Sequence, residues 1–362
     1  MYFLDFYQYY AAGLILSRGG NVYDPSLFAR TLLEVGWPAT KAMIPFPYPP
    51  WSLYLFLPLG YCSWDTALAA WSCASVLALL IIVVVLARSS LYKAGFKMPW
   101  QLLTLAIISF IPLQKALFFG QITPFIFFFV VLAHWAYGRG ARTTSGIVYS
   151  LALVKYQLFP ALTITWMIYS WVHQDRRWSV GILLGFLAQI GLSSWASAAS
   201  GLAIGEYYQF MTANQAADTL AKQGALLPHL LFFLPRVFAE WCALISAVVV
   251  GYVLGRRPFS LQPNHFFSLA VGSTLLTAPF LWSHDLVLLT PAFVMLAGAL
   301  LHQAGERLTF WLLVGHALIW LALLQLRQEA LTSYFLLLYA GLFWFWRSRF
   351  FQSSLQRLAF PF

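Results

Sequence analysis

Uninterrupted apolar runs recur along this chain, and two of them extend from Ala67 to Ala87 and from Trp241 to Leu254. A helix of about 20 apolar residues crosses the hydrocarbon core of a bilayer, where the backbone must satisfy its own hydrogen bonds. Hydrophobic residues make up 61% of the chain and charged residues only 9%. A soluble domain carries about one quarter charged residues. The sequence therefore predicts an all-α polytopic membrane protein.

The apolar runs predict one domain over residues 1–362, a multi-helix transmembrane bundle. We expect residues 1–60 to form a first outer loop with interfacial helices and residues 61–362 to contain the membrane helices. The predicted passes are residues 66–87, 99–118, 122–137, 178–200, 232–255, 265–281, 285–302, 307–326 and 330–346.

The net charge of +10 comes from basic residues at the ends of the apolar runs, not from one patch with interleaved aromatic residues. This distribution follows the positive-inside rule. It therefore indicates how the chain crosses the membrane and does not point to a nucleic-acid partner. The predicted cytoplasmic residues are Arg88, Lys93, Lys97, Arg139, Arg142, Arg176, Arg177, Arg256, Arg257, Arg307, Arg347, Arg349 and Arg357. The first outer loop, Lys155 and His284 then share the extracytoplasmic side.

The segment from Thr143 to Trp171 has basic residues on both flanks, so it must leave the cytoplasm and return to it. It is too short for two full passes, and Lys155 and Pro160 interrupt its apolar run. We predict two half-length helices that meet near the outer side, with the bend at Lys155 to Phe159.

Lys155 is the strongest single candidate for a functional residue. An ammonium group among apolar neighbours is costly within a bilayer and marks a functional site by default, although a lysine can also extend its amine to the interface. Lys115 and Gln121 lie at another predicted outer helix end and are a weaker candidate for a functional site.

His284 and Asp285 form a second candidate, at a turn between two apolar runs. An imidazole beside a carboxylate can hold a phosphate or move a proton, and the alternative is an ordinary interfacial turn. The cysteines Cys62, Cys73 and Cys242 are too scattered for a disulfide framework or a zinc site. No phosphate-binding loop, dinucleotide fingerprint or serine elbow is present in the sequence.

Seven short segments follow one another at characteristic spacings between residues 5 and 291. They are Asp5-Phe6-Tyr7, Asn21-Val22-Tyr23-Asp24-Pro25, Tyr48-Pro49-Pro50, Leu57-Pro58-Leu59, Phe119-Gly120-Gln121, Leu153 to Pro160, and His284 to Pro291. In their order and spacing these segments resemble the GT-C membrane glycosyltransferases, and among them glycosyltransferase family 87, the polyprenyl-phosphate-mannose type.

The resemblance implies a GT-C-type bundle with extracytoplasmic loop or jaw helices, embedded in membrane lipids. It also implies a polyprenyl-phosphate-linked sugar donor, a glycolipid or glycan acceptor and inversion at the anomeric carbon. Asp5 takes the place of the general base. Lys155 and His284 fit the role of holding the donor phosphate, and Arg327 is a weaker candidate for it on topology alone. Asp285, Gln121, Lys115 and Tyr48 are expected to support the site.

Mannose is the favoured sugar, and arabinofuranose and glucose are the alternatives. A different class of function would be a transporter or lipid flippase, for which two symmetric halves with broken helices are expected but not visible. A non-catalytic membrane subunit is a third reading.

Two features depart from the family pattern. Only four residues precede Asp5, where relatives carry a hydrophobic helix, so we expect a preceding membrane helix to be missing from this sequence. Leu4 stands where many GT-C enzymes have a second acid, and without an acidic pair we expect neither a metal nor another cofactor.

Overall fold

The computed structural model describes residues 3–38, 46–88, 104, 111–158, 160–172, 176–197 and 204–209, with residues 245, 248, 249 and 252. The elements with defined bounds are all helical. The α-helices are α1 (Leu4–Ser17), α2 (Pro25–Glu34), α3 (Trp64–Arg88), α4 (Ile111–Phe118), α5 (Thr123–Gly138), α6 (Arg142–Ala152), α7 (Pro160–Val172) and α8 (Arg177–Ala196). Three 3₁₀ segments span Pro50–Leu55, Leu57–Tyr61 and Leu153–Leu158.

The predicted all-α class is confirmed for these residues. Two helices, Trp64–Val85 and Arg177–Ala196, are long and apolar enough to cross a membrane, and shorter apolar helices cover Thr123–Gly138 and Leu162–Val172. α3 and α8 leave much of their apolar surface exposed, as lipid-facing helices do. The predicted passes from residue 232 onward lie outside the described residues, apart from a few single positions.

The predicted bend between two short helices is confirmed. α6 ends at Ala152, a 3₁₀ segment follows, and α7 begins at Pro160, whose fixed φ suits the first position of a helix. Lys155 interrupts the helical path with φ −105° and ψ 56°. The hydroxyl oxygens of Tyr149 in α6 and Thr163 in α7 lie 2.9 Å apart, so the chain reverses direction between the two helices.

α6 and α8 run in the same direction and pack through small residues. A Cβ on Gly181 would overlap the carbonyl oxygen of Thr143, and a Cβ on Gly185 would overlap the hydroxyl of Ser150. Gln189, one turn further along α8, donates to the carbonyl of Ser150 at 3.0 Å. Such close backbone approach is typical of helix pairs in membranes.

α1 is a helix within the segment predicted to contain interfacial helices, and most of it is buried within the protein. Phe6, Tyr9 and Tyr10 are among its buried side chains. The helix meets the Leu57–Tyr61 segment so closely that a Cβ on Gly13 or Gly60 would overlap backbone atoms of the other element. α1 thus belongs to the core against which the Leu57–Tyr61 segment packs.

A turn connects α1 to α2. The carboxylate of Asp24 caps α2 by accepting from the backbone nitrogens of Ser26 (2.8 Å) and Leu27 (3.1 Å). Arg18 forms an ion pair with Glu34 at 2.6 Å across the same turn. Both groups are half exposed, so this pair stabilises the turn only modestly.

Candidate functional site

The site is built on the turn between α4 and α5. Gly120 has φ +67° in this turn, a left-handed conformation that glycine adopts without strain. A Cβ there would lie 2.9 Å from the Cβ of Phe6, so the turn touches α1 directly. Trp71 of α3 donates to the carbonyl of Gly120 at 2.9 Å. The next residue, Gln121, is therefore held against the beginning of α1.

The first turn of α1 is tied to the same connection. The backbone nitrogens of Phe3 and Asp5 donate to the carbonyls of Phe118 (2.9 Å) and Phe119 (3.1 Å). These bonds satisfy N–H groups that a helix N-terminus leaves without partners in its own helix. The side chain of Asp5 completes the link, because its Oδ2 accepts a hydrogen bond from Nε2 of Gln121. The helix dipole favours a negative charge at this position.

Two tyrosines extend this contact. The hydroxyl of Tyr9 lies 2.7 Å from the hydroxyl of Tyr48 and 3.4 Å from Oε1 of Gln121. The backbone nitrogen of Ile122 donates to the Tyr9 oxygen at 3.3 Å. Burial raises the pKa of Tyr9 well above its ordinary value, and the nearby Tyr48 and Asp5 raise it further. The phenol therefore stays protonated and can donate.

Lys155 reaches the same turn from the bend between α6 and α7. Its Nζ donates to Oγ1 of Thr123 at 3.1 Å, and the lysine is only 3% exposed. The 3₁₀ segment that carries Lys155 is fixed in turn by Trp51, whose Nε1 donates to the carbonyl of Leu153 at 3.3 Å. A buried ammonium group and a carboxylate thus contact two residues of one short segment, Gln121 and Thr123.

The structure brings several sequence-predicted residues together. Asp5, Gln121 and Tyr48 belong to one hydrogen-bonded group, and Lys155 bonds to the adjoining Thr123. Lys115 lies in the last turn of α4, ahead of this group. Three further predicted site residues, which are His284, Asp285 and Arg327, lie outside the described residues. The predicted convergence of Lys155 with His284 stays a prediction.

Sequence reasoning missed Tyr9 and Thr123. Tyr9 follows Asp5 by four positions, which places both on one face of α1, so helical spacing could have indicated it. Thr123 carries no comparable signal, since it only becomes notable once Lys155 is seen to bond to it. Among the described residues, no group of three or more His, Cys, Asp or Glu side chains could hold a metal ion.

These apolar helices, with a buried polar site held at the start of α1, define a helical protein of membrane type. The family model of glycosyltransferase family 87 matches residues 46–283, which is more than half of the chain. The chain belongs to glycosyltransferase family 87 and is a glycosyltransferase, as the resemblance predicted. The matched range includes Gln121 and Lys155, and Asp5 precedes it. Searches of the curated proteins and of the solved structures find no match.

Proposed function

We propose that this glycosyltransferase transfers a hexose, with mannose favoured, from a polyprenyl-phosphate-linked donor to a glycolipid or glycan acceptor. The reaction takes place on the extracytoplasmic face of the cell membrane, in a multi-pass GT-C-type bundle. The observation that carries this proposal is the approach of Asp5 and Lys155 to one segment, the former bonded to Gln121 and the latter to Thr123.

The two charges suit the two halves of an inverting transfer. Asp5 accepts the proton of the acceptor hydroxyl as that oxygen attacks the anomeric carbon, and the bond from that carbon to the phosphate oxygen breaks. The polyprenyl phosphate leaves with the electron pair of the broken bond. Lys155 stabilises the negative charge of the leaving phosphate in this proposal.

The remaining predicted residues extend this proposal. We expect His284 and Arg327 to supply further donors to the phosphate, and Asp285 and Lys115 to support them. The exposed apolar face of α3 gives the polyprenyl chain a lipid-like surface, so the phosphate could reach the site while the chain stays in the membrane.

The experiment is a transfer assay with the purified protein, radiolabelled polyprenyl-phosphate mannose and a glycolipid extract. The parental protein should transfer mannose, and Asp5→Asn should lower the rate by about 10²- to 10⁴-fold, because the amide cannot accept the proton. Asp65→Asn is the matched control, since Asp65 also lies in the first turn of a helix but is exposed. This variant should keep the parental rate.

Two outcomes would overturn the proposal. An Asp5→Asn protein that transfers mannose at the parental rate would exclude Asp5 as the base. A parental protein that transfers none of the three sugars, mannose, glucose or arabinofuranose, but moves a labelled polyprenyl phosphate across vesicles would instead show a lipid transporter.

A further inference from the structure

We propose that Gln121 is a positioning residue for Asp5, and that Tyr9 and Tyr48 fix the orientation of its amide. This inference rests on the proposed function in one respect, because it takes Asp5 as the general base. It adds a directional chain of hydrogen bonds that runs from Tyr48 through Tyr9 and Gln121 to the carboxylate of Asp5.

The direction of this chain follows from its donors and acceptors. The ionised carboxylate of Asp5 only accepts, so the amide group of Gln121 that faces it must be the NH₂. Oε1 of Gln121 then faces Tyr9, whose single hydroxyl proton points to it across 3.4 Å. Having used that proton, the Tyr9 oxygen accepts from the Tyr48 hydroxyl at 2.7 Å and from the Ile122 nitrogen at 3.3 Å.

This arrangement satisfies both ends of the amide at once. If the Gln121 amide rotated by half a turn, Oε1 would face the carboxylate oxygen of Asp5 and the NH₂ would face the Tyr9 hydroxyl, and the first contact would be repulsive. Each donor in the chain also polarises the next one, which strengthens the final bond to Asp5. Gln121 is 4% exposed, so water competes little for these groups.

The backbone supports the same geometry. The backbone nitrogen of Asp5 donates a hydrogen bond to the carbonyl of Phe119, two residues before Gln121. The carboxylate is therefore held by main chain and side chain from one turn. A general base gains from such restraint, since a small misplacement of the reacting groups costs a large factor in rate.

The test compares kcat and the KM for the donor in purified variants. Gln121→Leu removes the donor to Asp5 and should lower kcat by about 10- to 100-fold with KM nearly unchanged. Tyr9→Phe keeps the ring and removes the hydroxyl, and it should lower kcat by about 3- to 10-fold. A purely structural role for Gln121 would change the amount of folded protein but not the kcat of the folded fraction.

A double-mutant cycle tests the order of the chain. If Tyr9 acts on Asp5 through Gln121, Tyr9→Phe should change kcat by less than about twofold in the Gln121→Leu background. Independent, multiplying effects of the two substitutions would overturn the proposed chain. Unchanged kcat in Gln121→Leu would overturn the positioning role itself.

Gln189→Leu is the matched control. Gln189 is also a buried glutamine with hydrogen bonds to a neighbouring helix, but it lies between α6 and α8 and does not belong to the chain that ends on Asp5. We expect Gln189→Leu to lower the melting temperature and to leave kcat of the folded protein unchanged. A fall in kcat similar to that of Gln121→Leu would show a general packing effect.

A second measurement separates this inference from the proposed function. Dicyclohexylcarbodiimide modifies carboxyl groups in their protonated form, and a lost donor to the carboxylate favours that form. Labelling of Asp5 at neutral pH, measured by peptide mass spectrometry, should rise about threefold or more in Gln121→Leu and stay at the parental level in Gln189→Leu. Neither substitution changes a titratable residue of the neighbouring elements, and these residues include Tyr7, Tyr9, Tyr48, Asp65, Lys115 and Lys155.

The two readouts can fail separately. Suppose that the parental protein has no transferase activity but that labelling of Asp5 still rises in Gln121→Leu. This result would overturn the proposed function and would support the hydrogen bond from Gln121 as a restraint on the Asp5 carboxylate. If the parental protein is active and Gln121→Leu changes neither kcat nor the labelling of Asp5, the positioning role of Gln121 is wrong and the proposed transferase function still stands.

Discussion

Nε2 of Gln121 donates to Oδ2 of Asp5, although 116 positions separate the two residues in the chain. The bond closes α1 onto the connection between α4 and α5. The same connection carries Thr123, which accepts from Lys155. Asp5 and Lys155 are thus hydrogen-bonded to two residues that stand only two positions apart in the chain.

The first prediction concerns Gly120, whose left-handed φ and contact with Phe6 set the position of the turn. Gly120→Ala should destabilise the protein by about 1 to 3 kcal/mol, because a Cβ adds backbone strain and overpacks the contact with α1. It should also lower kcat, since the shift displaces Gln121 from Asp5. Thermal unfolding and the transfer assay measure the two effects.

Gly140→Ala is the control for this substitution. Gly140 also has a positive φ, +81°, but a Cβ there would meet nothing within 4 Å. Gly140→Ala should lower the free energy of unfolding only by the backbone strain, about 1 kcal/mol, and should leave kcat unchanged. If the two variants lose equal stability and both keep parental kcat, the contact between Gly120 and α1 has no role in the site.

The second prediction concerns donor binding by Lys155. Lys155→Met keeps most of the apolar stem and removes the charge, so donor binding should weaken by roughly 1.5 to 3 kcal/mol, the contribution of a charged hydrogen bond. Thr123→Val removes only the hydroxyl that accepts from Lys155 and should weaken donor binding less. Titration with a non-transferable polyprenyl-phosphate sugar gives both affinities. Equal affinity of Lys155→Met and parental protein would exclude Lys155 from the phosphate site.

Some of the fold follows directly from the sequence. The bend at Lys155 was predictable because basic residues on both flanks require the chain to return to its starting side, and Pro160 favours a new helix start. α3 and α5 were predictable because long apolar runs have few alternatives to helix in a membrane. These features depend on local composition and charge.

The site was predictable only in part. The resemblance to family members indicated Asp5 and Gln121, but no pattern in the sequence shows that they touch, since the contact depends on how α1 packs against distant elements. The close approach of Gly13 to Gly60 is one such packing contact. Small residues permit this close approach, but glycine also occurs at turns and helix ends. The sequence alone therefore does not show whether a given glycine serves helix packing or a turn.

The third prediction concerns the cap of α2. The hydroxyl of Ser26 and the backbone nitrogen of Leu27 donate to the Asp24 carboxylate, and these bonds hold its pKa below the ordinary 3.8. Asp24→Ala should lower the free energy of unfolding by about 1 kcal/mol at pH 7. A carboxylate with a lowered pKa in the folded state stabilises above its ordinary pKa, and this stabilisation is lost as the pH falls through the folded value.

The difference in melting temperature between parental protein and Asp24→Ala should therefore be full at pH 7 and shrink as the pH is lowered below 3.8. Asp24→Asn is the control, because the amide oxygen can still cap the helix. The melting temperature of Asp24→Asn at pH 7 should lie between those of the parental protein and Asp24→Ala. A difference that does not change with pH would show that the charge of Asp24 does not contribute.

The fourth prediction concerns the pairing of α6 with α8, which holds the bend that carries Lys155. Gly181 and Gly191 both lie within α8, but a Cβ on Gly181 would overlap the carbonyl oxygen of Thr143, and a Cβ on Gly191 would meet nothing within 4 Å. Gly181→Ala should push the helices apart and destabilise the protein by about 1 to 3 kcal/mol. Gly191→Ala should stabilise it by about 0.5 to 1 kcal/mol, because alanine has the higher helix propensity. Thermal unfolding in one detergent compares the two, and equal shifts in the same direction would contradict the close packing of α6 against α8.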